Sequence, residues 1–214
     1  MFQVLVSKSS ILRLTKKLGF SGYSEFKYFL RQEQTSRLAS ETEQLLYDKQ
    51  MDDIQRTLNH LKAADLLPIN DMLGRSKTIY CYSTGFSQKK PLEEFSKLML
   101  PLEKRVLILP NKTEFDMAMP MISHEDCVII TSFSGETENI KENLTTLAVR
   151  KIKTLTITTP GNNYFARNSD FHLNYYCTPF HVGQKRFEIS SQVSLNILMD
   201  YLYRSYGAYT LLEE

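Results

Sequence analysis

Two short stretches of this 214-residue chain gather hydroxyls and a glycine within a few residues of one another. YSTGFSQ (82–88) carries Ser83, Gly85 and Ser87, and TSFSGETE (131–138) carries Ser132, Ser134, Gly135 and Thr137. Each follows an apolar run and leads into a segment with helical spacing. Such a turn suits a phosphate group. The helix N-terminus offers unpaired N–H groups and the positive end of its dipole. Glycine lets the backbone approach a ligand, and the hydroxyls add neutral donors. Each hydrogen bond to such an anion contributes about 1.5–3 kcal/mol, so a handful could hold a sugar phosphate without a metal. One such turn alone could be a plain N-cap at Ser134; two of them make the anion reading the better one. Neither is a Walker A loop or a GxGxxG, so ATP and NAD are poorly supported, and no cofactor is called for.

Groups able to move protons are fewer. Glu188, His181, Lys185 and Glu136 could serve as general acid or base. Glu188 reads as the first-turn acid of a closing helix, favourable to its dipole, and His181 as a solvated loop histidine. No catalytic residue is assigned from these.

The elements that must hold the two turns are legible from periodicity. From Lys77 onward, strands alternate with helices: strands at 78–83, 105–110, 126–132, 153–158 and 171–176, helices near 90–101, 113–122, 136–149 and 162–168, and a last helix from Phe187 to Tyr206. Unbroken apolar strands in β-then-α units imply an α/β fold with a five-stranded parallel sheet and helices on both faces. The commonest order for five strands is flavodoxin-like, with the first and third side by side, and ligands bind beyond their carboxyl ends. Both serine turns should then face one crevice.

Upstream the chain is helical. SKSSILRLTKKLG suggests a helix with Ser7 as N-cap, Ile11, Leu14 and Leu18 on its apolar side and Gly19 as the stop. Another helix begins at YSEFKYFL. Tyr47, Met51, Ile54, Leu58 and Leu61 then form a seam, suited to dimer contacts or to packing on the sheet, with Pro68 ending it. The division expected is 1–35, a small all-α segment; 36–75, a helical linker; and 76–214, the α/β domain.

Composition bounds the rest. A net charge of +2 says little about nucleic acid. Yet Lys8, Arg13, Lys16, Lys17, Lys27 and Arg31 face only Glu25 in the first 31 residues. Cys81, Cys127 and Cys177 are odd in number and lack a CxxC, which favours a reducing cytosol. No run reaches membrane-spanning length, so no membrane is expected as a partner.

Residues 77–206 resemble the SIS (sugar isomerase) domain. The carriers are S-x-S-G-x-T as Ser132, Phe133, Ser134, Gly135, Glu136 and Thr137, the turn with Gly85 and Ser87, TTPGNN followed by Asp170, and FEISSQVSLNILMDYLY as the closing helix. Ser83 stands where that family often has Gly, and Lys89, Lys90 and Pro91 replace its usual small residues. The resemblance implies a phosphosugar-binding fold with Ser83, Gly85, Ser87, Ser132, Ser134, Gly135, Thr137 and Glu188 around a phosphorylated sugar or amino sugar.

VSKSSILRLTKKLGFSGYSEFKYFL resembles the recognition-helix end of the helix-turn-helix in RpiR-type bacterial regulators, which join it to a SIS domain. That implies DNA as a partner, with Ser7, Lys8, Ser9, Ser10 and Arg13 facing the groove and Lys16 and Lys17 near the backbone. On charge alone the helix could equally be a solvated basic surface. Only six residues precede Ser7, so the helix-turn-helix is expected to be incomplete, by truncation or by loss, and DNA binding weak and salt-dependent. The combined expectation is a cytoplasmic sugar-responsive regulator acting as a homodimer or homotetramer; the alternative is a SIS-class sugar-phosphate isomerase.

Overall fold

The computed structural model describes residues 8–182 and 187–213, without side chains at 8, 35–42, 182 and 213. The chain forms two compact units, residues 1–49 and 50–214. The stretch expected as a linker at 36–75 is therefore shared between them.

In the first unit, α1 (Lys8–Lys17) is followed by the start of α2 (Tyr23–Ala63). Gly19 supplies the stop expected of it, at φ 90°, a conformation that L side chains rarely adopt. The Phe20 ring lies 5.2 Å from both Phe26 and Phe29. The Ser21 amide and hydroxyl donate to Glu25 at 2.7 and 2.6 Å, tying the turn to the first turn of α2. Thr15 is buried, whereas Leu14 and Leu18 are 53% and 55% exposed. The expected N-cap, Ser7, lies outside the described residues.

The second unit holds α3 (Leu67–Arg75), β1 (Thr78–Ser83), α4 (Lys89–Met99), β2 (Arg105–Leu109), α5 (Lys112–Ala118), β3 (Cys127–Thr131), α6 (Glu138–Val149), β4 (Lys153–Thr158), α7 (Tyr164–Arg167), β5 (Phe171–Asn174), β6 (Phe180–Val182), β7 (Phe187–Ile189) and α8 (Val193–Glu213). The first five strands make one parallel sheet in the order β2-β1-β3-β4-β5. The expected adjacency of first and third strands is therefore present. Strand side chains alternate between two cores. Ile79, Cys81, Ile129 and Leu155 join Leu73, Phe95 and Leu198 on one face. Tyr80, Tyr82, Val128 and Ile130 join Phe115, Leu144 and Phe165 on the other. Cys81 and Cys127 act there as small apolar residues; burial pushes the Cys127 thiol up to about 12. Among the described residues no helix is long and apolar enough to cross a membrane, and no cluster of His, Cys, Asp and Glu could hold a metal.

Three expectations are corrected. Pro68 does not end the long helix. It sits in the first turn of α3, where a missing N–H costs nothing. The last helix does not start at Phe187. Residues 187–189 pair antiparallel with 180–182, and α8 begins at Val193, so Glu188 is a strand residue rather than a helix-opening acid. The seam on α2 is only partly buried. Asp53, Thr57 and Leu61 are buried, while Met51 and Leu58 stay exposed.

The outer edge of the sheet carries two histidines. Asn174 Oδ1 lies 3.1 Å from His172 Nε2, and Thr156 Oγ1 2.9 Å from Nδ1. His60 Nε2 accepts the Asn174 amide at 3.0 Å. Burial holds both imidazoles below their ordinary 6.5. Below that value the unfolded chain binds protons that the fold resists, so stability present at neutral pH is lost as pH falls through 6.5 towards the lower folded values. We expect calorimetric melting temperatures to fall between about pH 7 and about pH 5, and His60→Gln with His172→Asn to flatten that slope.

Candidate functional site

The two serine turns meet. Past β1, the Thr84 amide donates to the Thr131 carbonyl at 2.9 Å, extending the pairing of β1 with β3 by one residue. The Thr84 hydroxyl then donates to Ser132 Oγ at 3.1 Å. Ser132 is fully buried, and its Oγ also accepts the Gly135 amide at 3.1 Å and lies 3.4 Å from Thr137 Oγ1. This hydroxyl pins the first turn to the second and closes the second upon itself.

Gly135 is required by geometry. It sits at φ 68°, and a Cβ there would lie 2.2 Å from Asn163 Oδ1. Asn163 is itself buried, with Oδ1 accepting the Ala166 amide and Nδ2 donating to Thr158 Oγ1. The turn is held from behind as well. Thr159 donates amide and hydroxyl to the Phe133 carbonyl, and the Phe165 amide donates to the Gly135 carbonyl. Thr137 is the N-cap of α6, yet its side chain makes no capping bond. Ser134 Oγ accepts the Glu136 amide at 3.2 Å, which leaves its proton to donate elsewhere.

The first turn is fixed by Gln88. Its Oε1 accepts the Gly85 amide at 3.1 Å, and its Nε2 donates to the Tyr175 hydroxyl at 3.2 Å. Burial pushes the Tyr175 phenol upward, so that hydroxyl stays protonated.

Between the turns lies a cavity of about 390 Å³. It brings together six of the expected ligand residues: Gly85, Ser87, Ser132, Ser134, Thr137 and Glu188. Ser83 does not line it; it ends β1, paired with Thr131. Gly135 sits behind the wall, with amide and carbonyl both engaged. Thr84, Gln88, Phe133, Ile189, Ser190 and Gln192 line it unforeseen. The first three lie inside the two quoted stretches, where composition pointed but did not single them out. The last three were hidden by the reading of 187–192 as helix. Among the described residues no Lys or Arg lines the cavity; what the described wall offers an anion is hydroxyls, amides and the start of α6.

Of the groups considered for proton transfer, Glu188 lines the cavity. Glu136 accepts the Tyr164 amide at 2.7 Å, which holds its carboxyl below the usual range, and pairs with Lys141. His181 faces Glu188 across the β6–β7 ribbon at 4.0 Å. Lys185 lies outside the described residues. On α1, Ser9, Ser10, Arg13, Lys16 and Lys17 are exposed; Ser7 and the Lys8 side chain are not described.

A SIS domain model matches residues 72–179, half of the chain, and a helix-turn-helix model of the rpiR family matches 3–37. The chain is similar to the HTH-type transcriptional regulator GlvR of Bacillus subtilis, 30% identical over 204 residues that cover 95% of this chain and 79% of that one. It is 25% identical to an uncharacterised HTH-type regulator of Clostridium perfringens, over 92% of this chain and 75% of the relative. Among solved structures, Vibrio vulnificus NanR complexed with ManNAc-6P superposes with a TM-score of 0.64 at 20% identity, covering 94% of this chain and 74% of that one. The sugar isomerase domain of an RpiR transcription factor from Sphaerobacter thermophilus gives 0.64 at 18% identity, over 78% and 91%.

The second turn supplies a test of the site's construction. Gly135→Ala should lower stability by about 1–3 kcal/mol, because both the positive φ and the buried Asn163 oppose a side chain. A urea unfolding midpoint equal to that of the unaltered protein would contradict the geometry.

Proposed function

We propose, starting from the fact that this chain belongs to the rpiR family of helix-turn-helix regulators carrying a SIS domain, that its crevice senses a phosphorylated sugar or amino sugar. The chain is a transcriptional regulator, as its relatives are named. What carries the proposal about the crevice is the convergence of Ser87, Ser134 and Thr137 on one cavity at the N-terminal end of α6. The Thr137 hydroxyl, released from capping, and the Ser134 proton are free to donate to phosphate oxygens, and the helix dipole favours the negative charge. Glu188, on the other wall, would be repelled by phosphate and so suits the hydroxyl or amino end of the sugar. The relative that superposes here was solved with ManNAc-6P, a ligand of this chemical class. Glu136 is engaged by the Tyr164 amide and Lys141, and the curated relatives are named as regulators, which supports sensing over isomerisation.

In this reading Ser9, Ser10, Arg13, Lys16 and Lys17 face DNA, with Ser7 and Lys8 preceding them. The exposed Met51 and Leu58 of α2 suit contact with a second copy in a homo-oligomer. The protein works in the cytoplasm, where DNA and sugar phosphates are both at hand.

Calorimetry against glucose 6-phosphate, fructose 6-phosphate, glucosamine 6-phosphate, ManNAc-6P and inorganic phosphate tests the crevice. At least one sugar phosphate should bind, and Ser134→Ala with Thr137→Ala should weaken it about tenfold or more. Unchanged affinity would refute the site, and turnover abolished by Glu188→Gln would move the chain to the isomerase reading. For DNA, Lys16→Ala with Lys17→Ala should reduce the slope of log affinity against log salt by about 2; an unaltered slope would remove both lysines from the interface.

A further inference from the structure

Beyond β5 the chain runs on along the open edge of the sheet, and alternate residues from Asn174 to Thr178 are bound to different things. Residues 174, 176 and 178 act through their amides. Asn174 N–H donates to His60 Nε2 at 3.0 Å, Tyr176 N–H to Thr57 Oγ1 at 2.9 Å, and Thr178 N–H to Asp53 Oδ2 at 2.6 Å. The Thr178 hydroxyl adds a bond to Asp53 Oδ1 at 2.9 Å, and Arg56 lies 4.1 Å over the Tyr176 ring. Asp53, Arg56, Thr57 and His60 recur at helical spacing and so form one face of α2. Side chains of a helix are acting here as the neighbouring strand.

The residues between them, Tyr175 and Cys177, reach the crevice through their side chains, while the Tyr175 amide continues the pairing with β4 by donating to the Thr158 carbonyl at 3.0 Å. The Tyr175 hydroxyl accepts from Gln88, whose other end caps the Gly85 amide in the first turn. Cys177 Sγ donates to the Ser191 carbonyl at 3.0 Å, within the stretch from Glu188 to Gln192 that forms the opposite wall. Residues 174–178 therefore grip α2 through alternate backbone amides and both walls of the crevice through the side chains between them.

We propose that this segment is a strap coupling occupation of the crevice to the seating of α2, with Asp53, Thr57 and His60 as positioning residues that never touch the ligand. The inference rests on the sugar-phosphate reading of the crevice. A ligand that tightens Gln88 and the wall at Ser191 holds Tyr175 and Cys177 in register, which presents the three amides to α2. By linkage the effect is reciprocal: loosening α2 must weaken the ligand by the same factor. The warrant is a contiguous set of bonds with defined partners at both ends.

The test uses the full chain and the tightest binder among the four sugar phosphates named above. Asp53→Ala and Thr57→Val, each shown folded by circular dichroism, should weaken binding by at least about fivefold, although neither residue lines the crevice. Ile122→Val, in the core on the far face of the sheet, should lower stability without altering affinity, which separates coupling from general loosening. Added to Gln88→Leu, Thr57→Val should cost little more, because the path is already cut. Hydrogen exchange at the 174, 176 and 178 amides should slow when ligand binds the unaltered protein. Folded Asp53 and Thr57 variants with full affinity would overturn the strap while leaving the crevice intact. Absence of binding by the unaltered protein to all four would overturn both.

Discussion

The hydroxyl of Ser132 is the point on which the binding architecture turns. A parallel sheet with its first and third strands adjacent brings two loops to one edge, but adjacency alone does not give them a common shape. Ser132 does, by accepting from Thr84 on one loop and from the Gly135 amide on its own. A fully buried hydroxyl with its acceptor capacity used in this way is costly to remove, since the groups it satisfies would be left unpaired in a dry site. Ser132 thus shapes the crevice from within its wall, and in the proposed reading the ligand falls to Ser134, Thr137 and Ser87, whose hydroxyls are less committed.

The charge balance of the crevice follows from the same construction. Among the described lining residues none is basic, and the attraction they offer an anion comes from oriented dipoles: N–H groups at the start of α6 and the hydroxyls around it. Such groups are fixed before the ligand arrives, so they lose little freedom on binding. They also discriminate less by net charge than a lysine would, so in the proposed reading shape and Glu188 on the opposite wall contribute to selectivity. That division suits a sensor, which must release its ligand as metabolite levels fall.

Much of this was legible in the residues themselves. The strands were found because a parallel sheet buried on both faces needs continuous apolar runs, and β1 and β4 fall where TIYCYS and KTLTIT stand. The second turn was found because its serine, glycine and threonine spacing is demanding. What escaped notice lacked such a signature. The β6–β7 ribbon is three residues on each side, and FEI reads as easily into a following helix as into a strand. Pro68 reads as a stop because a proline after a helical pattern fits both the end of one helix and the first turn of the next.

The face of α2 that docks was invisible for a deeper reason. Periodicity arguments look for apolar residues, and by that measure Met51, Ile54, Leu58 and Leu61 define the helix's buried side. The true partner is the unpaired edge of a sheet, whose outward amides need acceptors rather than methyl groups. Asp53, Thr57 and His60 provide them at a rise of about 1.5 Å per helical residue, against about 6.6 Å between successive outward amides of a strand. Side chains of different length absorb the mismatch, with imidazole, hydroxyl and carboxylate each reaching one amide. The exposed Met51 and Leu58 and the docked Asp53, Thr57 and His60 lie side by side on the helix. A helix can therefore be fixed to its own domain through polar groups and keep an apolar stripe open alongside, an arrangement suited to binding a second copy without giving up its hold on the sheet.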